Sequence, residues 1–224
     1  GWLRLGGSGE AALRALSALL GVLLIVLIYA IGRLLVSPPV GLLAAALAAI
    51  NPFQVYYSQE VRMYMLAAVL AAGCVLALLH LLKAASWTAW IVLVLLETAG
   101  LYTHYSFLFI ILVLNLAFLG WLILGRPETA GRRTLVRWVA SQALVVVLYL
   151  PWLPTAVRQV SAWPAPVQTG GPVAALTETW RWLIFGPSAD TEQVLVPLLL
   201  AAGLALFGLV SLAGGWLGLL LITW

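Results

Sequence analysis

The feature that most constrains this chain is the spacing of its charges. Long apolar runs follow one another: Ala15 to Gly32, Leu34 to Gln59, Met63 to Leu82, Ala84 to Thr103 with Glu97 towards its end, Ser106 to Gly125, and Leu135 to Leu153 with Arg137 near its start. A seventh runs from Val194 to about Ala213, and Gly214-Gly215 sets it apart from Trp216 to Trp224, which reads as a truncated eighth. A helix needs about 20 apolar residues to cross the hydrocarbon core. The runs lack the alternation over about ten residues that marks a membrane β-barrel strand. The expected fold is therefore all-α, a polytopic transmembrane helical bundle with about seven complete spans.

Composition agrees. The chain of 224 residues is 64% hydrophobic and 8% charged, against about 25% charged residues in soluble domains. Its eleven tryptophans suit the membrane–water interface, where indole rings collect. A formal net charge of +4 is weak support for a nucleic-acid partner, because the basic residues sit between spans, where they set topology. Cys74 is the single cysteine, which leaves no intrachain disulfide and no multi-cysteine metal site. The first residues, Gly-Trp-Leu-Arg, and the apolar last ones read as cut ends.

Orientation rests on one loop. Placing Arg33, Lys83, Arg126, Arg132, Arg133 and Arg137 inside leaves Arg4, Arg14, Arg62, Arg158 and Arg181 outside, a near-even split. The short loop from Gly125 to Arg133 is strongly basic and decides for the cytoplasm, since short loops carry the positive-inside signal. Glu10, Glu60, Glu178, Asp190 and Glu192 then fall outside and Glu128 inside. Residues 155–193 form a long outer loop. Within it Glu178 to Phe185 is expected to lie in the interface as a helix, with Trp180, Leu183 and Ile184 toward the apolar side and Gly186-Pro187 at its end.

Chemistry concentrates at two junctions on the outer side. The first is Tyr56-Tyr57-Ser58-Gln59-Glu60-Val61-Arg62-Met63-Tyr64. Glu60 here is either a solvated loop carboxylate or part of a site. Arginine two residues away suits a lipid-linked phosphate, because its planar fork donates two hydrogen bonds. The second is Tyr102-Thr103-His104-Tyr105, where His104 either caps a helix end or lines the same site. His80, near Lys83, reads as a helix-end histidine. Glu97 lies inside a span and is open to three readings: a neutral acid, a partner for a neighbouring helix, or the lining of a water-filled cavity. The sequence holds no P-loop, no His-Glu-x-x-His and no Gly-x-Ser-x-Gly. It offers no compact metal-ligand cluster. No cofactor is expected, and metal dependence stays open.

The Ser58-Gln59-Glu60-x-Arg62-x-Tyr64 motif resembles the second outer loop of polytopic C-type (GT-C) glycosyltransferases, specifically the protein mannosyltransferase and aminoarabinose transferase superfamily. Three weaker stretches agree. Trp2 to Gly6 with Glu10 to Ser17 is similar to the approach to the family's second transmembrane helix. Tyr102 to Tyr105 resembles its outer histidine-tyrosine motif, and Thr179 to Gly186 its interfacial helix. The resemblance implies that the complete protein moves one sugar, with inversion, from a polyprenyl-phosphate donor to a lipid, glycan or protein acceptor. It implies an extracytoplasmic site in the cell (inner) membrane and no direct use of a nucleotide sugar. In the family the catalytic aspartate sits in the first outer loop, and no residue here matches it. The resemblance then makes residues 1–224 a partial GT-C-like domain, inactive alone. Glu60 takes the second acidic position, and Arg62, Tyr64, His104, Tyr105 and Tyr57 line the substrate site. Two rival classes remain, a transporter or flippase of lipid-linked intermediates and a non-catalytic membrane assembly subunit. Internal repeats and broken helices at the midplane would favour the transporter.

Overall fold

The computed structural model describes residues 9–84, 86–124, 132–162, 171–186, 197, 199–208 and 210. They are helical almost throughout, with no strand among them. In chain order the helices are α1 (Glu10–Leu35), α2 (Pro38–Ile50), α3 (Pro52–Gln59), α4 (Tyr64–Ala84), α5 (Trp87–Thr103), α6 (Phe107–Leu124), α7 (Arg132–Tyr149), α8 (Leu153–Ser161) and α9 (Pro172–Phe185). A 3₁₀ turn, Leu150–Trp152, joins α7 to α8, and Leu199–Gly208 forms α10.

Among the described residues three spans are long and apolar enough to cross a membrane: Glu10–Leu35, Tyr64–Lys83 and Arg133–Ser161. The pair α2 and α3 reaches that length only as a bent span, turned by 59° at Asn51. Pro52 explains the break, since its ring removes one helical hydrogen bond and clashes with the preceding turn. Asn51 restarts the helix: its Oδ1 accepts from the Gln54 backbone N–H at 3.0 Å, an N-cap ahead of a proline at the first helical position. The apolar helices α5 and α6 are shorter, with 17 and 18 residues. The sixth span does not stop at Leu153. Helix continues to Ser161, so the first residues of the expected loop at 155–193 are helical. The truncated eighth run lies outside the described residues, as does all of the seventh but Pro197, α10 and Val210.

The chain divides into two compact units. One comprises residues 1–50 and 57–165, the other 51–56 and 166–224. In the first unit α4 and α5 form the centre. Leu70, Cys74, Leu78 and Leu81 meet Trp90, Leu93 and Val94, with Phe107, Leu114 and Phe118 of α6 and Trp138 and Val145 of α7 around them. Phe118 and Trp138 stack at 4.0 Å between ring centroids. Lipid is as apolar as these side chains, so helix association here rests on close packing and on interhelical hydrogen bonds. The α1–α2 hairpin shows the close packing. A Cβ on Gly41 would stand 2.6 Å from the Tyr29 carbonyl oxygen and 2.8 Å from the Arg33 nitrogen, so only glycine lets the two backbones approach.

Contacts between helices sort the side chains to two ends of this unit. At one end Lys83 Nζ donates to the Leu34 carbonyl at 2.9 Å, and the Arg137 guanidinium lies 4.7 Å over the Trp87 ring. At the other end Ser17 Oγ donates to the Glu60 carbonyl at 2.6 Å, and Tyr102 donates to the Leu148 carbonyl at 3.0 Å.

In the second unit α9 covers the expected interfacial stretch and begins earlier, because Pro172 opens it at the first turn. Gly186 ends it with φ +76°, a conformation that costs glycine nothing. Asn51 Nδ2 donates to the Leu183 carbonyl at 3.0 Å, one of the last acceptors of that helix. Arg181 is buried and forks onto Glu178, its Nε at 2.9 Å from Oε2. That hydrogen bond holds the Glu178 carboxyl below the usual carboxylate range.

Candidate functional site

The connection from α3 to α4 is Glu60-Val61-Arg62-Met63, and the Met63 carbonyl accepts from the Ala67 N–H at 2.9 Å as α4 begins. Two contacts fix its start: the Glu60 backbone N–H donates to the Tyr57 carbonyl at 3.3 Å, and Ser17 holds the Glu60 carbonyl from α1. Arg62 Nε and Glu60 Oε2 are 3.9 Å apart, with the two side chains 63% and 28% exposed. That is an ion pair without a well-formed hydrogen bond, and an exposed pair contributes about 0–1 kcal/mol. Stability is a poor reason for this pair to exist.

Tyr64, in the first turn of α4, is the hub. Its hydroxyl accepts from Arg62 Nη1 at 3.4 Å, and the Arg62 guanidinium stands 6.0 Å from its ring centroid. Tyr57 meets its ring edge-on at 5.1 Å. The His104 ring lies 5.9 Å away. Residues expected from two separate junctions, Glu60, Arg62, Tyr64 and Tyr57 from one and His104 from the other, thus form one connected cluster.

The position of His104 follows from the tight connection between α5 and α6. Its backbone N–H caps α5 through Gly100 O at 2.9 Å, and its carbonyl accepts from the Phe107 N–H at 3.0 Å. Phe107 is almost wholly buried and its ring packs directly on Gly100. This contact clamps the turn from below. The imidazole orientation is set as well: Nδ1 accepts from the Ser106 backbone N–H at 3.1 Å and lies 2.6 Å from Ser106 Oγ. With Nδ1 committed as an acceptor, the proton of the neutral ring sits on Nε2. His104 therefore presents an N–H donor rather than a basic lone pair. The backbone of His104 caps α5, and its ring lies beside Tyr64.

Tyr105 goes elsewhere. Its hydroxyl donates to Gln159 Oε1 of α8, and it lines an apolar cleft of about 420 Å³ with Leu101, Tyr149 and Val157. Sequence reasoning missed Ser17, Ser106 and Gln159 as partners. Ser106 had a local signal, a hydroxyl residue two places after a histidine. The other two are long-range, and nothing in their neighbourhoods announced them.

Glu97 has the partner on a neighbouring helix that one of its readings expects. It is completely buried, and its Oε2 accepts from Gln142 Nε2 of α7 at 3.0 Å. Gln142 Oε1 accepts in turn from Asn115 Nδ2 of α6 at 3.0 Å, and Asn115 Oδ1 from Trp138 Nε1 at 2.8 Å. The chain of bonds ties α5, α6 and α7 together in the unit's interior. The second carboxyl oxygen, Oε1, is buried without a protein partner. Gln142→Leu should leave Glu97 and Asn115 short of partners and destabilise the bundle by about 1–3 kcal/mol. Thermal unfolding of the purified protein in detergent measures this, and an unchanged transition would show that the bonds are incidental. His80 Nδ1 lies 2.8 Å from the Leu76 carbonyl, as a helix-end histidine should.

Among the described residues no three histidine, cysteine, aspartate or glutamate side chains gather in a metal-binding group. The cluster's chemistry is that of a carboxylate, a guanidinium, two phenols and an imidazole N–H, held at one end of a helical bundle. Such a set can orient a hydroxyl and neutralise a phosphate.

No curated protein and no solved structure matches the chain. The family model described as dolichyl-phosphate-mannose-protein mannosyltransferase does match, over residues 1–154, and that range contains the whole Tyr64-centred cluster. The apolar helices agree with a multi-pass membrane protein, and by that match the chain belongs to the dolichyl-phosphate-mannose-protein mannosyltransferase family of membrane glycosyltransferases.

Proposed function

We propose that the complete protein transfers a sugar, with inversion, from a polyprenyl-phosphate donor to a hydroxyl acceptor at the extracytoplasmic face of the cell membrane, and that the Tyr64-centred cluster lies at the reaction site. The observation that carries this reading is that Arg62 and His104 both meet Tyr64, with Glu60 beside Arg62. Arg62 and the His104 Nε2–H supply donors for the phosphate that leaves with the lipid, where negative charge grows in the transition state. Glu60 accepts from the sugar acceptor and holds its hydroxyl for attack. Tyr57 and Tyr64 form an amphipathic wall, apolar toward the lipid and polar at the hydroxyls.

The distribution of basic residues supports the orientation. Arg33, Lys83 and Arg137 share the end away from the cluster, as the positive-inside rule asks of a cytoplasmic end. A cysteine at Thr129 should then react with an impermeant maleimide only after the membrane is opened. Labelling in intact cells would reverse the orientation and take the site to the wrong face.

The activity itself is read in membranes that hold the full-length protein. A radiolabelled polyprenyl-phosphate sugar should donate to an endogenous acceptor, and the matching nucleotide sugar should not, once synthesis of the lipid-linked form is blocked. Transfer from the nucleotide sugar under that block would overturn the donor class.

A further inference from the structure

The geometry points to a binding site for an anionic phospholipid at the end of the first unit opposite the Tyr64 cluster. This site does not depend on the proposed transferase activity. Helices α5 and α7 leave between them an apolar cleft of about 400 Å³, within the range of about 300–1,000 Å³ typical of ligand pockets. Its mouth is formed by Trp87 and Arg137, stacked guanidinium over indole. Its body runs past Leu95 of α5 and Ala140, Leu144 and Leu148 of α7, and the three leucines are open to the surroundings.

Length, charge and shape select the occupant. Arg137 and Leu148 are eleven residues apart on the helix, a rise of about 16 Å at 1.5 Å per residue. Half of a hydrocarbon core about 30 Å thick is nearly the same distance. A single hydrocarbon chain laid along the cleft would therefore reach from the headgroup level to the bilayer midplane. The mouth is basic. Arg133 stands one turn before Arg137 on the same helix face, and among the described residues the carboxylates of this unit are Glu10, Glu60 and Glu97, none of them at this end. The stack on Trp87 pins the guanidinium by cation–π attraction and leaves its edge to donate to an anion. An apolar groove with cations at its headgroup end fits a lipid with a phosphodiester head. Basic pockets between membrane helices hold such headgroups.

The test uses the full-length protein in detergent, with native mass spectrometry reading retention of phosphatidylglycerol against phosphatidylcholine of matched chains. Phosphatidylglycerol should bind about tenfold more tightly, and Arg137→Gln should remove that preference, as expected for loss of one charge-assisted contact. Ala140→Phe keeps the cation and fills the groove, so it should weaken both lipids while preserving their order. Arg137→Lys, which keeps a charge without the planar fork, should retain part of the preference and guards against a folding defect in the glutamine variant. Equal retention of the two lipids by the parent protein would overturn the site, as would an unchanged preference in Arg137→Gln. Competition by free glycerol phosphate at the same concentration as the lipid would show a bare anion site and refute the groove.

Discussion

In the full-length protein, Arg62→Ala should lower kcat/KM for the polyprenyl-phosphate sugar by about one to two orders of magnitude, the worth of one charge-assisted hydrogen bond of about 1.5–3 kcal/mol. Glu60→Gln, which keeps the shape and removes the charge, should lower kcat more than it raises KM if the carboxylate holds the attacking hydroxyl. Neither change should move the melting temperature appreciably. The two side chains are 3.9 Å apart and 63% and 28% exposed, so their attraction contributes about 0–1 kcal/mol to the fold. That separation of effects is the test. If the pair only braces the turn before α4, the variants will lose thermal stability or yield and keep full activity per folded molecule. Loss of turnover with an unchanged melting transition places the pair at the substrate instead.

A second large effect is expected away from the polar cluster. Gly100→Val should destabilise the protein by about 1–3 kcal/mol or more, the cost of overpacking a filled core, and should abolish activity with it. A side chain at Gly100 runs into the Phe107 ring, and Phe107 is held in the core on every side. Since Gly100 O also accepts the His104 N–H, the strain passes straight into the turn that carries the imidazole. Phe107→Leu in the Gly100→Val background should recover part of both properties by making room. If Gly100→Val alone leaves activity and melting unchanged, the turn is not clamped by this contact, and His104 owes its place to Ser106.

How much of this was legible in the residues can be followed element by element. The apolar runs and the prolines located the helices, because a chain in lipid must satisfy its backbone within each span. Pro172 and Gly186 bound α9 for local reasons that any reader of the sequence can apply. The motif at Ser58 to Tyr64 marked one half of the cluster, and Tyr102 to Tyr105 the other, since charged and aromatic groups between spans stand out against an apolar background. The break at Asn51-Pro52 was written in the proline yet was passed over, because no charge interrupts the run from Leu34 to Gln59. The continuation of helix beyond Leu153 was hidden by Pro151 and Pro154, which sit at the starts of the 3₁₀ turn and of α8, where a missing N–H costs little.

The sequence by itself determined that the chain is a helical membrane protein and which junctions gather its polar and charged side chains. These are consequences of local composition and hydrogen bonding, decided within each span. Only the tertiary structure decided which side chains meet. The ring of His104 reaches Tyr64 across 40 residues of chain, Gln142 finds Glu97 rather than water, Tyr105 turns from the cluster to Gln159, and Arg137 stacks on Trp87. Those pairings depend on how far each helix is rotated about its axis when it packs. Rotation is fixed by small residues and large rings on neighbouring helices, such as Gly41 against Tyr29 and Gly100 under Phe107, and the hydropathy of a uniformly apolar span carries no record of it.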